Sequence, residues 1–161
     1  MIVADAGPLI AFARIGQLNL LRQVVGTLYI PDAVYNEMVH TKRERPGATE
    51  ITRGAWIHRR AIRDEAAVTQ LPSILYSGER QAIVLAQELG AALLSDEQHG
   101  RTIARQRGRT VIGSLRILAS AKRHGYIERV KPLVIGRLTA GYWLDDALLG
   151  PFLRSVGEHN E

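Results

Sequence analysis

Short apolar runs alternate with longer segments whose apolar positions recur at helical spacing. Ile2 to Ala4 is apolar and stops at Asp5, as a buried strand would. "GPLIAFARIG" follows as a helix, with Pro8 suited to its first turn and Gly16 to its end. "QLNLLRQVV" predicts a second helix ended by Gly26. "TLYI" predicts a strand broken by Pro31. "PDAVYNEMVH" predicts a helix capped by Asp32, with Val34, Met38 and Val39 on one face. "TKRERPGATE" is polar and predicts an exposed loop, and "AWIHRRAI" a short strand. "LYSGERQAIVLAQELG" predicts a helix capped by Ser77 and stopped by Gly90. The strand "AALLS" runs into Asp96, and the basic amphipathic helix "EQHGRTIARQRG" follows. "TVIG" and "SLRILASAKRHG" read as strand and helix. From about residue 130 the chain reads as one or two helices, begun by Pro132 and broken or restarted at Pro151.

This alternation predicts an α/β fold: a three-layer sandwich with a mostly parallel central sheet flanked by helices. No repeat or linker divides the chain, so residues 1–161 are expected to form a single domain with a C-terminal helical segment from about 130. In such sheets the functional crevice lies outside the carboxyl ends of the strands.

Two acids stand there directly, Asp5 and Asp96. Glu37 follows the second predicted strand on a helix. Glu79 lies in the first turn of the helix that runs back antiparallel to the strand ending at Asp96. The topology gathers all four at one edge. Clustered carboxylates repel one another, and hard divalent cations such as Mg²⁺ or Mn²⁺ relieve that repulsion through oxygen ligands. Each acid also has a local alternative: Asp5 and Asp96 as caps of the helices after them, Glu79 as a partner of its helix dipole, Glu37 as a solvated surface residue.

Composition narrows the chemistry. The 161 residues contain no cysteine, which excludes disulfides, thiolate metal sites and a Cys nucleophile, and fits a reducing cytosol. No apolar stretch approaches the roughly 20 residues of a membrane helix, and no signal peptide is expected, so a cytoplasmic location without membrane contact follows as the expectation. The net charge of +5 favours polyanionic partners, nucleic acid first. Dinucleotide, P-loop, zincin and nucleophile-elbow motifs are all missing. A phosphoacceptor receiver would need paired acids after the first strand and a Lys after the fifth. This chain has a lone Asp5, and Gly113-Ser114 at the latter place.

The blocks "IVADAGPLIAFARIG", "YIPDAVYNEMV", "GERQAIVLAQELGAALLSDE" and "TVIGSLRIL" resemble, in order, the signature blocks of the PIN-domain family, most nearly VapC-type toxins and a neighbouring PIN-like branch. The resemblance implies a metal-dependent endoribonuclease, the toxin of a toxin–antitoxin pair. By position it implies Asp5, Glu37, Glu79 and Asp96 as catalytic metal ligands for Mg²⁺ or Mn²⁺, with Glu97 and Ser114 as accessory residues, Ser114 more naturally a helix cap. It implies RNA as substrate, a cognate antitoxin and a homodimer as partners. The chain departs from the pattern at Gly7, where relatives often carry Ser or Thr, and at Glu79, where toxin-type relatives often carry Asp. An acidic cleft that takes RNA needs cations at its rim. Lys42, Arg43 and Arg45 after Glu37, and Arg101, Arg105, Arg107 and Arg109 after Asp96, are the expected phosphate contacts. His99, Trp56 and Trp143 read as incidental or core residues. Tyr142, Trp143, Leu148 and Phe152 offer either core packing or an interface. A non-cleaving PIN-like module is the alternative reading.

Overall fold

The computed structural model describes residues 1–40, 45–139 and 146–158. Five short strands, β1 (Ile2–Ala4), β2 (Leu28–Ile30), β3 (Ile57–Arg59), β4 (Ala92–Leu94) and β5 (Val111–Ile112), form one sheet in the order β3-β2-β1-β4-β5. Every pairing is parallel, with Val3 opposite Tyr29 on one side and Leu93 on the other. Strand order reverses between β1 and β4, so the switch point lies between the strands that end at Asp5 and Asp96.

Alternation along the strands divides the core in two. Ala4 and Leu94 face one helical layer, made by α1 (Ala6–Arg14), α2 (Leu18–Val25), α3 (Asp32–Val39), α4 (Ala48–Arg53), α8 (Ser114–Arg123), α9 (Lys131–Thr139) and α10 (Asp146–Ser155). Val3, Leu93 and Val111 face the other, made by α5 (Glu65–Thr69), α6 (Ser77–Leu89) and α7 (Gln98–Gln106). The three-layer α/β sandwich expected from the sequence is the fold observed. Trp56 is buried, as expected of a core residue. Gly90 ends α6 in the left-handed conformation, which turns the chain at once into β4.

Local details correct several expectations. Pro31, not Asp32, holds the N-cap position of α3; the Asp32 carboxylate instead accepts from Arg59 Nε at 2.7 Å, and Gln81 Oε1 accepts from Ala33 N. Tyr76, not Ser77, is the N-cap residue of α6. The last three residues of "TKRERPGATE" are not loop but the start of α4, held down by buried Ile51. The short helix α5, capped by Asp64 accepting from Ala67 N, had no counterpart in the sequence reading. Helix α10 continues through Pro151, because Leu149 before it and Leu153 after it are both buried in the same core. Lys42, Arg43, Tyr142 and Trp143 lie outside the described residues.

Candidate active site

An open cleft of about 1700 Å³ lies at the carboxyl ends of β1 and β4. Asp5, Glu37, Glu79, Asp96 and Glu97 all line it. The four acids expected from the sequence therefore share one cleft, with Glu97 beside them.

Asp5 sits deepest, only 8% exposed. It is the N-cap residue of α1 and a cleft acid at once: Oδ1 accepts from Gly7 N at 3.0 Å, and Oδ2 from Ser95 Oγ at 2.9 Å. The hydroxyl contact that Gly7 cannot give comes from the adjacent strand end. Burial pushes the Asp5 carboxyl up to about 6; the bonds from Gly7 and Ser95 oppose the rise, and Glu37 and Asp96 add to it. Glu79 is raised too, first by burial, with its bond from Tyr76 N opposing and Asp5, Glu97 and Glu37 contributing. Its Oε2 accepts that backbone bond at 3.1 Å. Glu37 comes in from α3 against Gly78, where an added Cβ would stand 3.1 Å from Glu37 Oε2.

Asp96 is held across the sheet edge. Its Oδ1 accepts from Ser114 N at 2.8 Å and its Oδ2 from Ser114 Oγ at 2.5 Å. Ser114 is thus the first residue of α8 rather than its side-chain cap, and its hydroxyl orients an acid. The cap of α7 is Glu97, whose Oε2 accepts from Gly100 N at 2.7 Å.

Arg101, Arg105 and Arg116 line the same cleft. Arg101 Nη1 donates to Ser95 O at 2.7 Å. Burial and then Arg105 lower its pKa, with Asp96 opposing. A Cβ at Gly113 would lie 2.7 Å from that same nitrogen, so a larger residue there would push the guanidinium aside. Arg109 is half-buried and is not among the cleft residues, nor are Arg107 and His99, which are exposed. Ser95, Arg116, Tyr76 and Gly113 also line or support the site, beyond the residues the sequence points to. Only Ser95 carried a signal, as the small polar residue between a buried strand and Asp96.

The donor set suits a hard divalent cation. It is all oxygen, and burial and like charges oppose the ionisation of Asp5, a cost that a bound cation relieves. Among the described residues no group of three or more His, Asp or Glu side chains is arranged to hold an ion. The acids surround a space in the cleft without forming a closed coordination sphere.

A family model described as a PIN domain matches residues 1–158, and the chain belongs to that family. The fold is of nuclease type, and PIN domains are generally nucleases that use divalent metal ions. Among solved structures, a PilT N-terminus domain protein from the hyperthermophilic archaeon Sulfolobus solfataricus P2 is similar, with a TM-score of 0.58 at 18% identity. The match covers 75% of this chain and 93% of that one. No curated protein matches the sequence. Among the described residues no helix is long and apolar enough to cross a membrane.

Proposed function

We propose that the protein is a metal-dependent endoribonuclease whose metal, Mg²⁺ or Mn²⁺, is held by Asp5, Glu37, Glu79 and Asp96. The observation that carries this reading is the meeting of six carboxylates, Asp32 with the five named above, and three arginines in one cleft at the switch point of a PIN fold. When bound, the cation would supply an activated water and stabilise charge on the phosphate and the leaving oxygen. The chain's own residues divide the remaining work. Asp5 and Asp96, fixed by Ser95 and Ser114, present oxygens in set directions. Glu97, tied to the α7 backbone, stands beside them to orient water or accept its proton. Arg101, Arg105 and Arg116 neutralise phosphates that the acids alone would repel.

The finer assignment follows the VapC-type resemblance: the toxin of a toxin–antitoxin pair, cytoplasmic, homodimeric and restrained by a cognate antitoxin. Leu148, 58% exposed and lining the cleft, supports a partner contact there. One observation favours a rival, a PIN-like module that binds RNA without cutting. Both oxygens of Asp96 are already engaged by Ser114, and among the described residues no three acids are arranged to hold an ion.

Incubation of a mixed, structured RNA pool with Mn²⁺ or Mg²⁺ decides between them. The nuclease gives discrete cuts that need metal and vanish in Asp5→Asn and Asp96→Asn. Metal-induced thermal stabilisation without any cut, lost in both variants, would instead establish the non-cleaving module.

A further inference from the structure

We propose that Tyr76 is a base-stacking platform, holding one unpaired nucleobase beside the phosphate that the cleft acids address. The inference rests on the nuclease reading for its phosphate and adds the residue that grips the neighbouring base.

Tyr76 is 79% exposed and lines the cleft. Local structure does not explain it. Helix N-caps favour Ser, Thr, Asp and Asn, and Tyr76 gains nothing of that kind from its ring. Among the described residues its ring stacks on no other ring and carries no cation, and its hydroxyl makes no hydrogen bond. Its backbone, by contrast, is fixed to the site, since Tyr76 N donates to Glu79 Oε2 at 3.1 Å. An aromatic plane is therefore anchored directly next to a cleft acid and left open to solvent.

The rest of the cleft says what plane it would meet. Arg101, Arg105 and Arg116 supply cations for an anion, the carboxylates suit a cation-bridged phosphate, and Tyr76 supplies an aromatic face. A nucleotide carries an anion and an aromatic plane in one unit. Stacking requires a base free of its pair, because a base inside a duplex has both faces covered. It is also tolerant of sequence, since every base has a π-face.

The test measures binding by fluorescence anisotropy in Mg²⁺, in an Asp96→Asn background so that the strand survives. The probes are a short labelled RNA strand of mixed sequence, that strand annealed to its complement, and strands with single abasic nucleotides. Tyr76→Ala is expected to weaken single-strand binding by about 5- to 150-fold, as loss of one stacked base would. Tyr76→Phe should bind as the parent does. The duplex should bind Tyr76→Ala and its parent alike, and one abasic position should abolish the difference between them. Because Tyr76 is exposed, the Ala variant keeps its fold, which circular dichroism checks. Equal single-strand binding by Tyr76→Ala and its parent overturns the proposal and leaves the ring to a protein partner. Tyr76-dependent binding with no metal-dependent cutting by the wild type would retain the platform and remove the nuclease. Cutting and binding both indifferent to Tyr76 would do the reverse.

Discussion

Asp5 and Glu158 are both buried carboxylates, 8% and 6% exposed, and their surroundings treat them in opposite ways. Glu158 closes the C-terminal segment. It accepts from Val130 N at 2.8 Å, Lys131 N at 3.0 Å and Lys122 Nζ at 2.9 Å, so it caps the start of α9 and ties it to α8. Lys122 also donates to Val156 O at 2.6 Å. Burial alone would raise the Glu158 pKa, but the two backbone donors and Lys122 outweigh it and hold the carboxyl at about 2. Asp5 has two donors, acidic neighbours and, among the described residues, no cation, and stands at about 6. A buried acid whose charge is fully met is part of the architecture. A buried acid left short of positive charge, in an open cleft, marks a place where something else is to bind.

Neutralising each acid separates their roles most sharply, and the larger effect is on activity. Asp5→Asn should reduce metal-dependent cutting on the order of 10²–10⁴-fold, the range expected when a positioned catalytic carboxylate is lost. The same change should not unfold the protein. Asn caps helices as well as Asp does, so the bond from Gly7 survives. A rise from 3.8 to about 6 means that the ionised group opposes folding by about 3 kcal/mol at neutral pH, and Asn removes that opposition. Urea unfolding of the metal-free protein at pH 7 should therefore find Asp5→Asn at least as stable as the wild type. A less stable variant would mean that Asp5 is chiefly structural.

Glu158→Gln should behave in reverse. An amide cannot match the carboxylate, and Lys122 is left half-buried beside it. The expected cost is about 2–4 kcal/mol, or a Tm lower by about 5–15 °C, with cutting per folded molecule unchanged. Calorimetry beside the cleavage assay checks both halves.

Acid titration separates the two without mutation. The folded-state pKa of Asp5 is raised, so its penalty is full above about 6 and fades as the pH falls toward 3.8. That of Glu158 is depressed, so its contribution is full above 4.5 and is lost as the pH falls toward about 2. The stability advantage of Asp5→Asn over wild type should thus shrink between pH 7 and pH 4, while the deficit of Glu158→Gln should stay constant there and shrink only below 4.5. Denaturant titrations across that range read both. Parallel curves for Asp5→Asn and wild type would show that Asp5 is not perturbed.

The two regions also differ in how far the sequence revealed them. Asp5 and Asp96 were legible because each follows a short apolar run, Asp5 directly and Asp96 after Ser95, as an acid at a strand end does, and parallel strands share their carboxyl edge. Glu79 followed from the antiparallel course of helix and strand. Glu158 gave no sign: its partners lie between 27 and 36 residues away and meet it only through packing. The same limit hid the bond from Ser95 to Asp5, across 90 residues, and the hold of Ser114 on Asp96, across 18. Helices α4 and α5 escaped because six and five residues with one buried side chain each show no period. Pro151 misled because local geometry argued for a break, while Leu149 and Leu153 anchor both sides of it to one core.

The smallest effect tests how the Asp5 charge is tolerated at all. Ser95 Oγ donates to Asp5 Oδ2 at 2.9 Å and accepts from Glu97 N at 3.3 Å, so one hydroxyl joins the deepest acid to the backbone of its neighbour. Ser95 is 1% exposed, which leaves no room for water to replace that hydroxyl cheaply. In Ser95→Ala the ionised form of Asp5 loses one of its two donors, and the neutral form loses less. Its pKa should therefore rise above the wild-type value, and the variant should lose about 1 kcal/mol of stability at pH 8, with a smaller loss at pH 5 where Asp5 is largely protonated. Carbon-detected NMR titration of the Asp5 carboxyl in the metal-free protein reads the shift directly. An unchanged midpoint would mean that Gly7 alone carries the charge, and the contrast with the threefold-held Glu158 would then be wider than two donors against three.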